Sequence, residues 1–176
     1  MTWHGDEFDE LASDLRRRVG AEFVEEAAEI EQLTDLQRRR RADLAEVARA
    51  AMHRGDRVTI SCQSGYWVGQ LQSVGDDYVV LETAELLVEA HLPSIGLEIE
   101  PSRSGGRSGS PGSSTWRARL IEFELEGETI ALVAPIANAE VTGRIEVVAS
   151  DHLVIDTGDR RSILPLAVVA VVLRHR

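Results

Sequence analysis

The stretch VGQLQSVGDDYVVLET, residues 68–83, returns later in the chain as TGRIEVVASDHLVIDT, residues 142–157. Five of the sixteen aligned positions are identical, and most of the others exchange similar side chains, such as Leu71 and Ile145. In both copies apolar residues alternate with polar ones, and a polar turn then leads into a second apolar segment. This pattern is typical of two half-buried strands joined by a turn. The chain therefore contains one β unit twice.

The residues around each copy extend the unit to about five short strands. A glycine, Gly69 or Gly143, stands in the middle of the longest strand, where a missing side chain lets the sheet bend sharply. Each unit has a proline after its fourth strand, Pro93 or Pro165. Five short, strongly curved antiparallel strands predict a small, partly open barrel of the SH3-like or Sm-like kind. The closing segment AVVAVVL is apolar on both faces and is expected to be covered on both sides.

The residues before the first copy predict helices. Phe8, Leu11 and Leu15 stand at helical spacing, and residues 34–37 (TDLQ) match a capping box that would begin a further helix. Gly55 offers the left-handed stop that helices commonly need. The expected buried face of this helix consists of Leu44, Val47 and Ala51.

Residues 116–126 fit two structures. Trp116, Leu120 and Phe123 share one helical face, whereas apolar residues that alternate with glutamates fit a strand equally well. A short helix is favoured because Gly127 then stands where Gly55 stands in the first copy.

These elements predict an α+β chain in which N-terminal helices precede two small Sm-like or SH3-like antiparallel β-barrels. The expected parts are an N-terminal helical region (1–54), a first barrel (55–100), a flexible Gly/Ser/Arg linker (101–115) and a short helix with a second barrel (116–176).

Charge disfavours nucleic acid as a partner of the barrels. The chain of 176 residues has a formal net charge of −11, and both β units are net negative, so a phosphate backbone would be repelled. No apolar run reaches the length of about 20 residues that crosses a membrane, and the first residues lack the features of a leader. Cys62 is the single cysteine. We therefore expect a cytoplasmic protein without membrane contact.

The segment VGQLQSVGDDYVVLE resembles the second and third strands of Sm and Hfq-like proteins. The whole plan is similar to a group of small proteins of high-GC Gram-positive bacteria that are often called Fis-family transcriptional regulators. The resemblance implies tandem small barrels, and RNA contact through a Lys-His pair. His91 stands at the histidine position, and Ala90 replaces the lysine.

Catalytic patterns are weak in this sequence. Asp156, Thr157 and Gly158 form the Asp-Thr-Gly triplet of aspartic proteases, but such enzymes need two of these loops. The first copy carries Glu-Thr-Ala at the equivalent positions. The histidines show no metal-ligand spacing, and no nucleotide-binding loop follows a strand. We expect no enzyme activity, no cofactor, no metal and no small-molecule substrate.

The remaining candidates are contact residues for a partner or a nucleic acid. Tyr66 is expected to point outward beside a turn, where it could stack on a base or anchor a peptide. His91 lies at the edge of a strand. The basic candidates are Arg38, Arg39, Arg40, Arg41, Arg103 and Arg107, of which the first four also suit ion pairs along a helix.

The sequence thus predicts a non-enzymatic interaction or scaffold protein, built on tandem Sm-like barrels, that binds a protein partner or assembles with itself. Open edge strands invite such pairing. The alternative is a regulatory protein that binds RNA or DNA.

Overall fold

The computed structural model describes residues 23, 29–38, 40–102, 105, 114–134 and 139–175. The chain divides into two compact units, residues 1–42 and residues 43–176. In the first unit, residues 29–38 and 40–41 are helical (α1). Thr34 lies inside this helix, and its hydroxyl donates to the carbonyl oxygen of Ile30 at 2.8 Å. The predicted capping box at residues 34–37 is therefore wrong, because the Thr34 side chain bonds back to the preceding turn.

The second unit begins with helix α2, Leu44–Arg54. Its N-cap is Asp43, which accepts from the backbone N–H of Glu46, while the Glu46 side chain accepts from the N–H of Asp43. Gly55 ends the helix in the left-handed region at φ 70°, as predicted. The buried face consists of Ala45, Ala48, Ala51 and Met52.

The predicted buried face of α2 is wrong at two of its three positions. Leu44 and Val47 are exposed, and only Ala51 of the predicted set is buried. Small alanine side chains let the helix lie close to the sheet, so Leu44 and Val47 stay outside, whereas Met52 near the end of the helix is buried.

Ten strands and a third helix follow in the part of the chain that the structure describes. The strands are β1 (Arg57–Cys62), β2 (Gly65–Val74), β3 (Tyr78–Glu82), β4 (Leu86–His91), β5 (Gly96–Glu100), β6 (Thr129–Ala134), β7 (Ala139–Val148), β8 (His152–Asp156), β9 (Arg161–Pro165) and β10 (Val171–His175). Helix α3 is Trp116–Glu126, which confirms the helical alternative for this segment. We name α2 with β1–β5 the first repeat, and α3 with β6–β10 the second repeat.

The ten strands form one open antiparallel sheet in the order β5-β1-β2-β3-β4-β10-β6-β7-β8-β9. The prediction of two separate small barrels is wrong. The fourth strand of the first repeat pairs with the fifth strand of the second repeat. This pairing joins the two repeats into one continuous sheet and leaves β5 and β9 on its outside.

The central strands are covered on both faces, which explains why the repeats share a sheet. A first core lies under α2 and a second core lies under α3. Neighbouring residues of a strand point to opposite faces, so Val79 belongs to the first core and Val80 to the second. Val171 and Val172 of β10 divide in the same way. The two apolar faces of β10 are therefore buried only in the position between both repeats.

Both repeats carry the same bend. The register of β2 with β3 shifts between Leu71 and Ser73, and that of β7 with β8 shifts between Ile145 and Val147. A Cβ atom on the nearby strand glycine would clash with a backbone carbonyl oxygen of the neighbouring strand in each repeat. The glycines therefore allow two strands to approach closely beside a β-bulge.

We expect Gly69→Ala and Gly143→Ala to destabilise the protein similarly, by about 1–3 kcal/mol, because the added methyl group must displace a backbone. The free energy of unfolding in urea measures the effect. Glu140→Ala, at an exposed position of β7, is the matched control and should change it by less than about 0.5 kcal/mol. Alanine variants as stable as the control would contradict the close approach.

Candidate functional site

The pairing of β4 with β10 is the junction of the two repeats, and we call it the central seam. Its register sets Ala90 opposite Val171 and Glu89 opposite Val172. The backbone N–H of His91 extends the ladder by donating to the carbonyl oxygen of Ala170 at 2.9 Å. A strand edge that would otherwise be open is thus filled from within the chain.

A buried carboxylate lies at the central seam. Glu89 is fully buried, and its two oxygens accept from Arg119 of α3 at 2.6 and 2.8 Å. Arg174 of β10 donates to the same carboxylate at 2.8 Å. Both guanidinium groups lie over the ring of Phe123, at 4.3 and 5.0 Å from its centroid. The hydrogen bond to Glu89 is the main reason why the pKa of Arg119 is raised above its usual range. One acid therefore connects β4, α3 and β10.

Removing the charge of Glu89 should destabilise the sheet strongly, since two partly buried arginines would lose their buried counter-ion and keep only more exposed partners, such as Glu122 and Glu128. We expect Glu89→Gln to cost about 3 kcal/mol or more, measured by urea unfolding. The control is Glu128→Gln, because Glu128 is half exposed and contacts Arg174 at 3.4 Å. The control should cost less than about 1 kcal/mol. Equal losses in the free energy of unfolding of both variants would contradict a larger contribution from the buried Glu89.

A second contact between the repeats lies at the end of β4. The backbone N–H of Trp116, at the start of α3, donates to the carboxylate of Asp77 at 2.5 Å. The ring of Trp116 stacks on His91 with 5.9 Å between centroids. His91 also bonds Ser94 at 3.0 Å and lies 3.9 Å from Asp77. Burial lowers the pKa of His91, and the Asp77 carboxylate opposes this shift.

This histidine should make the stability depend on pH. Because the pKa of His91 is lower in the folded chain than its ordinary value of 6.5, the unfolded chain binds the proton more readily. The contribution of neutral His91 to the free energy of unfolding is complete above about pH 6.5, and it is lost as the pH falls through and below that value. We expect His91→Gln to lose less stability than the wild type between about pH 7.5 and about pH 5.5. Urea unfolding at both pH values measures this.

The control for this pH dependence is His53→Gln, at an exposed position of α2. It should keep the pH dependence of the wild type. The lowered pKa values of Asp56 and Asp151 belong to carboxyl groups that titrate below this pH range. If the stability of His91→Gln depends on pH as steeply as that of the wild type, His91 is not the source of this pH dependence.

The two outer strands, β5 and β9, are the candidate interaction site, and we call them the outer edges. No described residue pairs with the outer side of either strand. On β5, Glu98 and Glu100 are exposed, whereas Leu97 and Ile99 pack against the first core. A strand with unpaired N–H and C=O groups is a template for another strand.

The β9 edge differs in chemistry from the β5 edge. Ile163 is 66% exposed, and Arg161 and Pro165 are exposed on the same face. Arg161 binds Glu146 of β7 through Nε at 2.8 Å, which leaves its other donors available. Arg160 directly precedes the strand and is exposed. The β5 edge is thus acidic, and the β9 edge is basic with an apolar side chain in its middle.

The β5 edge is held in place by a buried carboxylate. Asp56 is buried and accepts from the backbone N–H of Ser102, just beyond β5, at 3.0 Å. It also accepts from Arg54 at 2.8 Å. The hydrogen bond from the Ser102 N–H lowers the pKa of Asp56. Burial opposes this shift, and Arg54 adds to it. This contact fixes the end of β5 to the end of α2.

The structure separates the predicted contact residues of the sheet. Tyr66 is 73% exposed, as expected, and lies at the start of β2 opposite Ser61. His91 pairs with Tyr78, just past the far end of β2, and its ring is half-buried at the seam. The two residues therefore lie at opposite ends of the sheet segment β2–β4 and form no common surface.

The basic candidates lie elsewhere. Arg38, Arg40 and Arg41 are exposed on α1, and Arg38 pairs with Asp35 at 3.3 Å. The described residues do not include Arg39, Arg103 or Arg107. A role for any of these arginines in binding stays a prediction.

Sequence reasoning missed the seam cluster, and it expected open edge strands without identifying them as β5 and β9. A signal was present, since Glu89 interrupts the apolar run LLVEAH and Arg174 follows AVVAVVL. One acid and one base inside strands that are otherwise apolar indicate an ion pair between those strands.

The described residues contain no group of three or more His, Cys, Asp or Glu side chains that could hold a metal ion. Asp156, from the protease-like triplet, ends β8 and accepts from the N–H of Gly158 at 2.9 Å, as in an ordinary polar turn. No described helix is long and apolar enough to cross a membrane.

Comparison with models of known protein families and with curated protein sequences finds no match. The resemblance to Sm-like proteins of high-GC Gram-positive bacteria stays a prediction.

Proposed function

We propose that this chain is a non-enzymatic interaction protein that binds extended polypeptide strands at the outer edges of its sheet, either from copies of itself or from a partner. The observation that carries the proposal is the contrast between the central seam and the outer edges. Inside the chain, β10 closes the edge of β4 by strand pairing. At the ends, β5 and β9 present the same kind of edge with no described strand beside it.

Strand addition suits these edges physically. Backbone hydrogen bonds would supply affinity, and the alternating side chains would supply specificity. The half-buried Leu97 and Ile99 on β5 and the exposed Ile163 on β9 are apolar groups that a further strand would cover. A cytoplasmic location is part of the proposal, because the free Cys62 suits a reducing compartment.

The alternative, binding of RNA or DNA, has less support. Glu98 and Glu100 make the β5 edge acidic, which repels phosphate. Tyr66 is the exposed aromatic side chain that favours nucleic acid.

We expect Ile163→Pro to abolish association while the fold is retained. Ile163 is exposed on an outer strand, and proline is tolerated there when the lost N–H faces solvent. Light scattering should show assemblies larger than one chain for the wild type and monomers for the variant. Ile163→Val, which keeps the N–H, is the control and should assemble.

Titration with RNA and DNA at several salt concentrations completes this test. A monomeric wild type that binds nucleic acid tightly, with a steep dependence on salt, would contradict the proposal.

A further inference from the structure

The helices and strands of the two repeats follow in the same order and pair in the same way, which relates the central seam to the outer edges. Helices α2 and α3 have the same length and equivalent caps, so Leu44 of α2 corresponds to Trp116 of α3. Val47 corresponds to Arg119 in the same way. The helices pack on the equivalent strands β2 and β7.

The fourth strands of the repeats also correspond. Val80 pairs with Glu89 in the first repeat, and Val154 pairs with Ile163 in the second. Val80 and Val154 occupy the same position of the sixteen-residue repeat. Ile163 at the outer edge is therefore the counterpart of Glu89 at the seam.

A similar relation holds at the strand ends, where Tyr78 pairs with His91 and His152 pairs with Pro165. Tyr78 and His152 are equivalent in the repeat, so Pro165 is the counterpart of His91.

The fifth strands correspond with a shift of one residue. Leu97 pairs with Ile60, and Val172 pairs with Leu132, which is the counterpart of Ile60. The shift arises at Ala170, whose N–H donates to the carbonyl oxygen of Val133 while Val171 also lies opposite Val133. This bulge makes Val172 the counterpart of Leu97. By the same relation, Ile99 is the counterpart of Arg174.

We propose that the partner at the outer edges is a second copy of this chain, with β9 of one copy pairing antiparallel with β5 of the next. This inference rests on the proposed function and names its partner. The register is that of the central seam. Because Glu89 lies opposite Val172 there, Ile163 lies opposite Leu97 of the next copy, and Ser162 lies opposite Glu98.

The exposed apolar residues near the outer edges support a second copy of this chain as the partner. At the seam, Glu89 contacts Arg119 and Arg174. The counterparts of these three residues are Ile163, Val47 and Ile99, which are all apolar. Ile163 is 66% exposed and Val47 is 38% exposed, and the seam arrangement would bring them together. An ionic contact inside the chain is thus matched by an apolar contact between chains.

A second pair of counterparts shows the same complementarity. His91 stacks on Trp116 at the seam. Their counterparts are Pro165, which is exposed on the β9 edge, and Leu44, which is 41% exposed on α2. Proline and leucine would pack as apolar neighbours, so Leu44 and Val47 of one helix would both be covered by β9 of another copy.

The charges on the two outer edges are also complementary. His175 lies opposite Leu86 at the seam, and the counterparts of this pair are Glu100 and Arg160. Opposite charges at facing positions of neighbouring strands are favourable. Each copy has one edge of each kind, so pairing continues from copy to copy and gives a closed ring or a filament.

Disulfide cross-linking tests the register. In a Cys62→Ser background, one chain carries Glu98→Cys and another carries Ser162→Cys. The seam ladder places the equivalent pair at non-hydrogen-bonded positions, about 4.5 Å apart between Cα atoms, which a disulfide can span. Mixing the two chains under mild oxidation should give a covalent dimer.

The matched control replaces Glu98→Cys by Glu100→Cys, which lies on the same face two residues away. Its Cα atom would be about 7–8 Å from residue 162, which is beyond disulfide reach. Equal yields from both pairs would overturn the register. A Glu98→Cys chain that cross-links only to itself would overturn the head-to-tail arrangement.

An exchange of charges tests the side-chain contact. Ile163→Glu alone and Val47→Arg alone should each reduce association at least tenfold, because each places a charge against an apolar side chain. A chain with both changes should recover most of the association, because it recreates the Glu89–Arg119 pair of the seam. Leu125→Glu is the control, since Leu125 is 80% exposed on α3 and takes no part in the proposed contact. It should associate as the wild type does.

Failure of this inference can be distinguished from failure of the proposed function. If Ile163→Pro lowers the mass but the 98–162 pair does not cross-link and the double variant does not recover, strand addition stands and this register is overturned. A wild type that remains monomeric at about 100 μM also overturns the inference, since most specific contacts form at such concentrations. If that monomer binds nucleic acid tightly, the proposed function fails with it.

Discussion

The buried carboxylate of Glu89, held between Arg119 and Arg174, is the constraint on which the sheet depends. An unpaired charge in this buried position would be strongly unfavourable. Glu89 of β4 therefore requires contact with Arg119 of α3 and with Arg174 of β10. Once they meet, the two apolar faces of β10 lie in different cores. The seam therefore determines that two similar β units form one sheet, although each alone has the strands of a small barrel.

The two repeats have equivalent surfaces, but the residues at equivalent positions of these surfaces differ in chemistry. The contact inside the chain uses ions and an aromatic stack. The equivalent positions at the outer edges carry Ile163, Val47 and Leu44. This difference would give specificity, because Arg119 and Arg174 would lose the buried Glu89 carboxylate if β9 took the place of β4. In the proposed assembly, each contact would thus disfavour the partner that belongs to the other.

Local features of the fold were predictable from the sequence, because they rest on short-range rules. The repeat located the bent strands, Gly55 and Gly127 marked helix ends, and AVVAVVL indicated a strand covered on both sides. The start of α2 was missed because Thr34 and Asp43 both suit an N-cap, and only the second one bonds forward.

The pairing of the repeats was not predictable from pattern alone. Local alternation is the same for two separate barrels and for one sheet, so alternation fits both arrangements, and only the isolated charges of Glu89 and Arg174 favour the single sheet. The distinction depends on a contact across 85 residues, between Arg174 and Glu89. Open edge strands were expected, but β5 and β9 could not be identified as the edges for the same reason, since a strand becomes an edge only once all other pairings are known.

The late position of β10 in the chain has a consequence for how the protein folds. The first repeat can form its hairpins from neighbouring residues, but β4 must wait for a strand that follows it by about eighty residues. Contacts of such long sequence separation slow folding, and they leave an apolar strand edge uncovered while the ribosome completes the chain. During that interval, β4 of a nascent chain is as open to a foreign strand as β5 and β9 are in the finished sheet.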